Sequence, residues 1–479
     1  MPCCAFFCLA RWRRFWYAWG PVGYGANAQQ RPRSSYACQA ELPGPGCVRS
    51  LPAGRGRCTA VQATAASAFP WGALVLLRVS RVLLVAACAS LVASLLLFSL
   101  FECFPSLLDA INLQAIAYYG LQRALIADPA LVFVPRQVDY VLQGTSVGDQ
   151  YAAEYGADVV PWTYVVTADA EGFRPNSAGP PYEIVLVGDS FLSAGEDDAS
   201  TLSERLRAVS GRATYNLSRS WYGPYQYVEL LKRYGLALRP QVALLGFYAG
   251  GDIEDIREYH RWRREHRYYF YADHAQRPFF VRYALALADT GAYLRETLAQ
   301  RLARPPQPVA PGEMHPQLGV IQVGAQAVPM VFGDWNPEGS AAQLLATAEW
   351  QALHALLTEF HHLCRAEGIL PVLLYIPSKS QVYAEYATAH NGRQFLQAAA
   401  RQHPIRTNMV AAITTLAQQI ELPLINLLPA FEQQAEAGRL LYYPFDTHWN
   451  GEGIQAAATY IWHELQPWLT PIPREYHRE

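Results

Sequence analysis

The sequence predicts an α/β domain in three layers, a parallel sheet with helices on both faces, behind an N-terminal membrane-spanning helix. Three observations carry this reading. Short, fully apolar runs recur from residue 183 onward, as in "EIVLVG", "QVALLGFY" and "LPVLLYIP". Amphipathic stretches of helical length separate them. Strands without a polar face, alternating with helices, need cover on both sides of the sheet. Third, residues 82–101, "VLLVAACASLVASLLLFSLF", are 20 residues without a charge. At 1.5 Å per residue that length crosses a bilayer core of about 30 Å.

The elements follow in order. Residues 160–176 predict a strand and a turn. From 183 come a strand ("EIVLVG"), a helix over 201–211 ended by Gly211, a strand ("ATYNLS") and a helix around "YQYVELLKRYGL". The strand 241–248 follows. A long helix over 341–366, the strand 370–377, a helix near 405–419, the strand 422–427 and a closing helix from Gly453 complete the pattern. Residues 255–340 interrupt the rhythm. They hold a basic-aromatic run, "REYHRWRREHRYYFY", a helix-like stretch at 281–303 and the proline-rich "RPPQPVAPGEMHPQ". We expect an insertion there, placed as a cap over the carboxyl edge of the sheet. The expected organisation is an extension at 1–70, a membrane helix at 79–103, a stalk and approach segment at 104–180, and the α/β domain at 181–470.

Composition narrows the function. The formal net charge of the 479 residues is -2, and nothing global points to nucleic acid. Of nine cysteines, eight lie at or before Cys103, so the α/β domain has neither a disulfide framework nor zinc-type spacing. Residues 1–70 are rich in Arg, Pro, Gly and Cys and show no period. They read as disordered, or as preceding an alternative start codon near Leu74–Val79. Arg78 and Arg81 precede the apolar run, and Glu102 and Asp109 follow it. The positive-inside rule then leaves the N-terminus in the cytoplasm and the domain outside. No small-residue cleavage site follows the run, so an uncleaved anchor is expected.

The chemistry begins at Gly188-Asp189-Ser190, where the first strand ends. Functional groups of parallel α/β sheets sit at the carboxyl ends of strands. A serine hydroxyl there is a weak nucleophile until a base takes its proton, and the usual base is a histidine oriented by a carboxylate. "YYPFDTHWNGEG", 442–453, supplies both, as Asp446 and His448. A spacing of two in extended chain puts the two side chains on one side. The expected triad is therefore Ser190, His448 and Asp446. The nucleophile lacks the G-x-S-x-G elbow of α/β-hydrolases.

Gly-Asp-Ser after the first strand, with Asp-x-His-Trp before the last helix, resembles the SGNH/GDSL hydrolase superfamily. The nearer likeness is to its membrane-anchored branch of alginate-O-acetyltransferase-like proteins. "EGFRPN", "NLSRSWYGPYQY" and "FYAGGDIED" fit the same pattern in order, and the likeness covers about 160–470. It implies a flavodoxin-like three-layer α/β/α fold and ester chemistry through a Ser-His-Asp mechanism. It also implies an oxyanion hole made by the N–H of Ser190, a glycine N–H in the second block and an asparagine amide in the third. Here the second-block position is held by Trp221 or Gly223, and Gly251 stands where the asparagine is expected. Asn216 and Asn450 are the side chains available to stand in.

Other residues have plainer readings. Asp189 suits a turn or a helix N-terminus. Asp189, Asn216, Tyr222, Asp252, Lys379 and Trp449 are the candidate substrate-side residues. His354, His361 and His362 lie on one helix with no ligand pattern and read as surface. No metal or organic cofactor is implied. The reading that follows is a membrane-anchored, extracytoplasmic esterase acting on an O-acetyl ester or acetylated glycan. Its alternatives are an O-acetyltransferase for a cell-surface or exported polysaccharide, and a non-catalytic glycan-binding protein on the same fold.

Overall fold

The computed structural model describes residues 71–104, 125–135, 137–150, 160–175, 177–269, 271–272, 277–302, 318–333, 336–387 and 403–469. The expected extension over 1–70 and the proline-rich stretch 304–317 lie outside them. The helix Trp71–Cys103 belongs to a unit separate from residues 106–479. Within it, Arg78–Cys103 is long and apolar enough to cross a membrane, and its leucines and valines are almost all exposed. This fits a single-pass anchor or a signal sequence.

The domain is built on five parallel strands: β1 (Ile184–Val187), β2 (Thr214–Asn216), β3 (Val242–Tyr248), β4 (Leu370–Ile376) and β5 (Leu424–Asn426). They lie side by side in the order β5-β4-β3-β1-β2. β1 and β3 are buried along their whole length, as unbroken apolar runs require. The helices Leu202–Ser210 and Gly451–Leu465 pack on each other. A second group forms from Pro224–Leu230, Asp252–Glu265 and Ala348–Ala366. The strand order is that of flavodoxin-like sheets, with a topological switch point between β1 and β3. The helices Leu202–Ser210 and Asp252–Glu265, which follow those two strands, belong to the two different helix groups.

Local sequence explains the helix ends. Thr201 accepts the N–H of Glu204 at the start of Leu202–Ser210, and Gly211, at φ 72°, closes it in the left-handed region. Pro224 opens the next helix at a position where a missing N–H costs nothing. Two expected helices differ in detail. The long helix over 341–366 is two, Ala341–Leu345 and Ala348–Ala366, each with its own N-cap, Ser340 and Thr347. The helix around 225–236 passes into a wider turn at Leu231–Gly235.

Residues 125–168 hold two antiparallel hairpins, Leu125–Asp128 with Val132–Pro135 and Tyr140–Ser146 with Trp162–Ala168. Between β3 and Ala341 lie the helices Asp252–Glu265 and Phe279–Leu302 and the hairpin Leu318–Val323 with Gln326–Val331. The N–H of Val331 donates to the carbonyl of Pro444 at 3.0 Å, joining that hairpin to the loop of Asp446 and His448.

Candidate active site

β1 runs into Gly188, Asp189 and a single helical turn, Ser190–Ser193. Asp189 caps that turn by accepting the N–H of Phe191 at 2.9 Å. Ser190 is therefore the first residue of the turn, where the N–H has no acceptor within the helix. Asp189 is buried, and burial pushes its carboxyl up to about 6.

The loop before the last helix comes back to this point. Ser190 Oγ and His448 Nε2 lie 2.7 Å apart, and His448 Nδ1 and Asp446 Oδ1 lie 2.6 Å apart. Asp446 Oδ1 also accepts the N–H of His448 at 3.0 Å. Three residues separated by up to 258 positions thus form one hydrogen-bonded chain. Trp449 fixes the loop: it is fully buried, and its indole N–H donates to the carbonyl of Phe191 at 2.9 Å. Asn450 caps the final helix by accepting the N–H of Gly453, while its amide donates to the carbonyl of Leu440 at 2.8 Å.

The electrostatics follow from burial and pairing. Burial drives the His448 imidazole down, but the carboxylate of Asp446 outweighs it, with Asp149 and Asp189 adding to the pull. The net result is a proton held up to about 9. Burial drives Asp446 up, and the His448 pair, with Lys379 assisting, brings it below its ordinary range.

The structure places the other expected residues as follows. Trp221 adopts φ 68°, the left-handed region that favours glycine. The N–H of Gly223 is engaged by Gln226 Oε1 at 3.2 Å, and a Cβ at 223 would meet Asp255 Cβ at 2.3 Å. The N–H of Gly251 donates to the carbonyl of Tyr248 at 3.3 Å. The Tyr248 ring lies over Gly250 and Gly251: a Cβ at 250 would meet its hydroxyl at 2.3 Å, and one at 251 its Cδ1 at 3.2 Å. The space an asparagine at 251 would use is thus bounded by an aromatic ring, itself stacked on Phe191 at 3.9 Å.

Both asparagine stand-ins are held by protein partners. Asn216 donates to the carbonyl of Leu192 at 2.7 Å and accepts the N–H of Ser218 at 3.0 Å. Asn450 is engaged as described. Several expected substrate contacts are enclosed in the core instead. Tyr222 is buried, with its hydroxyl on the carbonyl of Phe133 at 2.5 Å. Asp252 is buried and accepts the hydroxyl of Tyr227 at 2.8 Å and the N–H of Tyr248 at 3.1 Å. Lys379 is buried and donates to Gln150 Oε1 at 3.1 Å and to the carbonyl of Pro444 at 3.3 Å. These residues are buried and held by protein partners.

Two groups escaped the sequence reading. One is the stretch 146–150, read as part of a stalk. Asp149 donates its N–H to Asp446 Oδ2 at 3.0 Å and accepts the N–H of Thr447 on Oδ1 at 2.8 Å. The only signal in the sequence is the pair Gly148-Asp149 after a strand-like run, the same punctuation as Gly188-Asp189. The other is the aromatic pair Trp162 and Tyr443, stacked at 4.1 Å and half-buried. Tyr443 Oη donates to Glu196 Oε1 at 2.6 Å. Asp149, Asp446 and His448 also place ligand-type atoms within 4.8 Å of one another. Each of these groups already has a protein partner, so the cluster is accounted for as a hydrogen-bond chain.

Residues 336–475 match a family model described as the SGNH hydrolase-like domain of acetyltransferase AlgX. That stretch is SGNH hydrolase-like in sequence, and it belongs to the domain with the parallel sheet described above. The matched stretch contains Lys379, Asp446 and His448, and Ser190 lies before it. No curated protein matches the chain in sequence. Similar solved structures include a lipase/acylhydrolase from Enterococcus faecalis, 12% identical, covering 61% of this chain and 99% of its own, with a TM-score of 0.31. A mutant of the acetyl-xylooligosaccharide esterase Axe2 from Geobacillus Stearmophilus is 10% identical, covers 61% and 99%, and has a TM-score of 0.31. A GDSL-like lipase from Bacteroides thetaiotaomicron is 10% identical, covers 60% and 90%, and has a TM-score of 0.28.

Proposed function

We propose that this SGNH hydrolase-like protein is a serine esterase, anchored by one membrane helix with its domain outside the cytoplasm, that cleaves O-acetyl esters of a glycan. The observation that carries it is the continuous contact from Ser190 through His448 to Asp446. In this reading His448 Nε2 takes the proton of Ser190 as Oγ bonds to the ester carbonyl carbon. Asp446 keeps Nδ1 protonated and directed, so that Nε2 is the acceptor. The tetrahedral oxyanion meets the N–H of Ser190 and that of Trp221. His448 then gives its proton to the departing alcohol as the acyl–oxygen bond breaks. Water then attacks the acyl-serine as His448 takes its proton; the acyl–Oγ bond breaks, acetate leaves, and His448 returns the proton to Ser190 Oγ.

The acid-base chemistry is identical when a sugar hydroxyl replaces the water, and the AlgX acetyltransferase match over 336–475 favours that second reading. The half-buried Trp162–Tyr443 pair suits either reading, since a flat aromatic face accommodates a pyranose ring. A test of both is turnover of p-nitrophenyl acetate by the full-length chain in detergent, beside Ser190→Ala and His448→Ala. We expect both variants to fall to the uncatalysed background. Turnover equal in all three proteins would overturn the serine mechanism. Adding glycan acceptors then separates the readings: acetylated glycan as product marks a transferase, free acetate a hydrolase.

A further inference from the structure

The stretch before the α/β domain contributes to the acid-base pair. Gly148, at φ 94°, brings the backbone so close to residues 445–446 that a Cβ there would overlap the carbonyl oxygen of Phe445 at 1.8 Å. Gln150 donates its N–H to that same carbonyl at 3.0 Å. Gln150 Oε1 accepts from the buried Nζ of Lys379, which also donates to the carbonyl of Pro444. Between these anchors, Asp149 and the Asp446 loop exchange hydrogen bonds reciprocally, N–H to Oδ2 in one direction and Thr447 N–H to Oδ1 in the other.

We infer that Asp149 is a positioning residue for the acid-base pair, holding Asp446 in place by a reciprocal clasp and tuning His448 with its negative charge. The clasp leaves Asp446 Oδ1 to His448 alone, because the other oxygen is occupied by the N–H of Asp149. The carboxylate of Asp149 lies close enough to His448 to favour the imidazolium. The groups facing His448 are Asp446 from its own loop, Asp149 from the clasp and Asp189 from the β1 turn. Those facing Asp149 are Asp446, His448 and Lys379. Burial, with Asp446 adding to it, pushes Asp149 up to about 6, so it is ionised over the range in which His448 titrates.

The inference rests on His448 being the base, but its test does not need turnover. The full-length chain with labelled histidines is titrated by NMR, and the His448 signal is assigned by its loss in His448→Gln. Asp149→Asn keeps an acceptor for Thr447 and the backbone N–H, and removes only the charge. Its His448 midpoint is expected to fall by about one pH unit. Asp149→Ser, which also offers an acceptor without charge, should fall by a similar amount and serves if the asparagine variant does not fold. A midpoint unchanged in both variants overturns the inference. The pH midpoint of p-nitrophenyl acetate turnover should move with the NMR value. Turnover that survives Ser190→Ala refutes the esterase reading, while the NMR midpoints still decide the role of Asp149.

Discussion

Ser190, His448 and Asp446 form a hydrogen-bonded chain in which the His448 proton is tightly held. Burial alone would favour neutral imidazole, but three carboxylates face the ring and the balance lies with the charged form, up to about 9. Only neutral His448 can accept the serine proton. Because the raised value keeps the inactive, protonated form dominant to higher pH, kcat/KM for a small ester should climb through the alkaline range with its midpoint near 9. A profile with its midpoint near the ordinary histidine value of about 6.5 would show that the pairing with Asp446 is weaker in solution. Trp221 is the second point at this scale. A tryptophan at φ 68° is strained. Its partly exposed indole packs edge-on to Tyr269 at 5.7 Å, a contact glycine could not make.

Among the elements, the sheet supplies rigidity and the loops supply chemistry. β1 and β3 deliver Ser190 and Gly250–Gly251 to adjoining strand ends, since Val187 is paired with Leu245. Trp449 and Phe191 lock the acid-base loop onto the serine turn. The Gly148–Gln150 stretch locks the same loop from the other side. Gly148→Ala should therefore be damaging: the positive φ and the overlap with Phe445 together cost about 1–3 kcal/mol. We expect a lower unfolding midpoint in urea and a fall in kcat larger than any change in KM, read from steady-state kinetics beside chemical denaturation. Wild-type kcat in that variant would mean the clasp does not position Asp446. Strand and helix existence was legible in the local pattern because burial on both faces dictates unbroken apolar runs. The break at Ala346–Thr347 and the wider turn at Leu231–Gly235 interrupt an apolar pattern that runs on across them, so the pattern did not mark them.

At the scale of the whole molecule, a helix that passes the length and hydropathy requirement for a membrane span precedes a separately packed α/β unit. In the proposed topology, arginines before the span and acids after it place the domain outside. A reporter enzyme active only outside the cytoplasm, fused after residue 104, should be active, and one fused before residue 78 should not. The reverse pattern would overturn the localisation. The hairpins at 125–168 lie within the region expected to be a stalk and approach segment. Tyr140–Ser146 and Trp162–Ala168 pair as a sheet, and their flank carries Asp149 to Asp446.

The α/β class, the apolar span and the three residues of the acid-base chain could be read along the chain, because each is written in local pattern. Apolar runs report burial, an uncharged 20-residue stretch reports a span, and Asp-x-His places two side chains together within three residues. Which polar residues are enclosed depended instead on packing in three dimensions. Asn216, Tyr222, Asp252 and Lys379 look available in one dimension, yet each meets a partner that folding brings to it, some of them far away in sequence. The same holds for Asp149, which is 297 positions from the carboxylate it supports. Contacts of that separation leave no periodic trace along the chain, so they become visible only when the sheet has brought its loops to one edge.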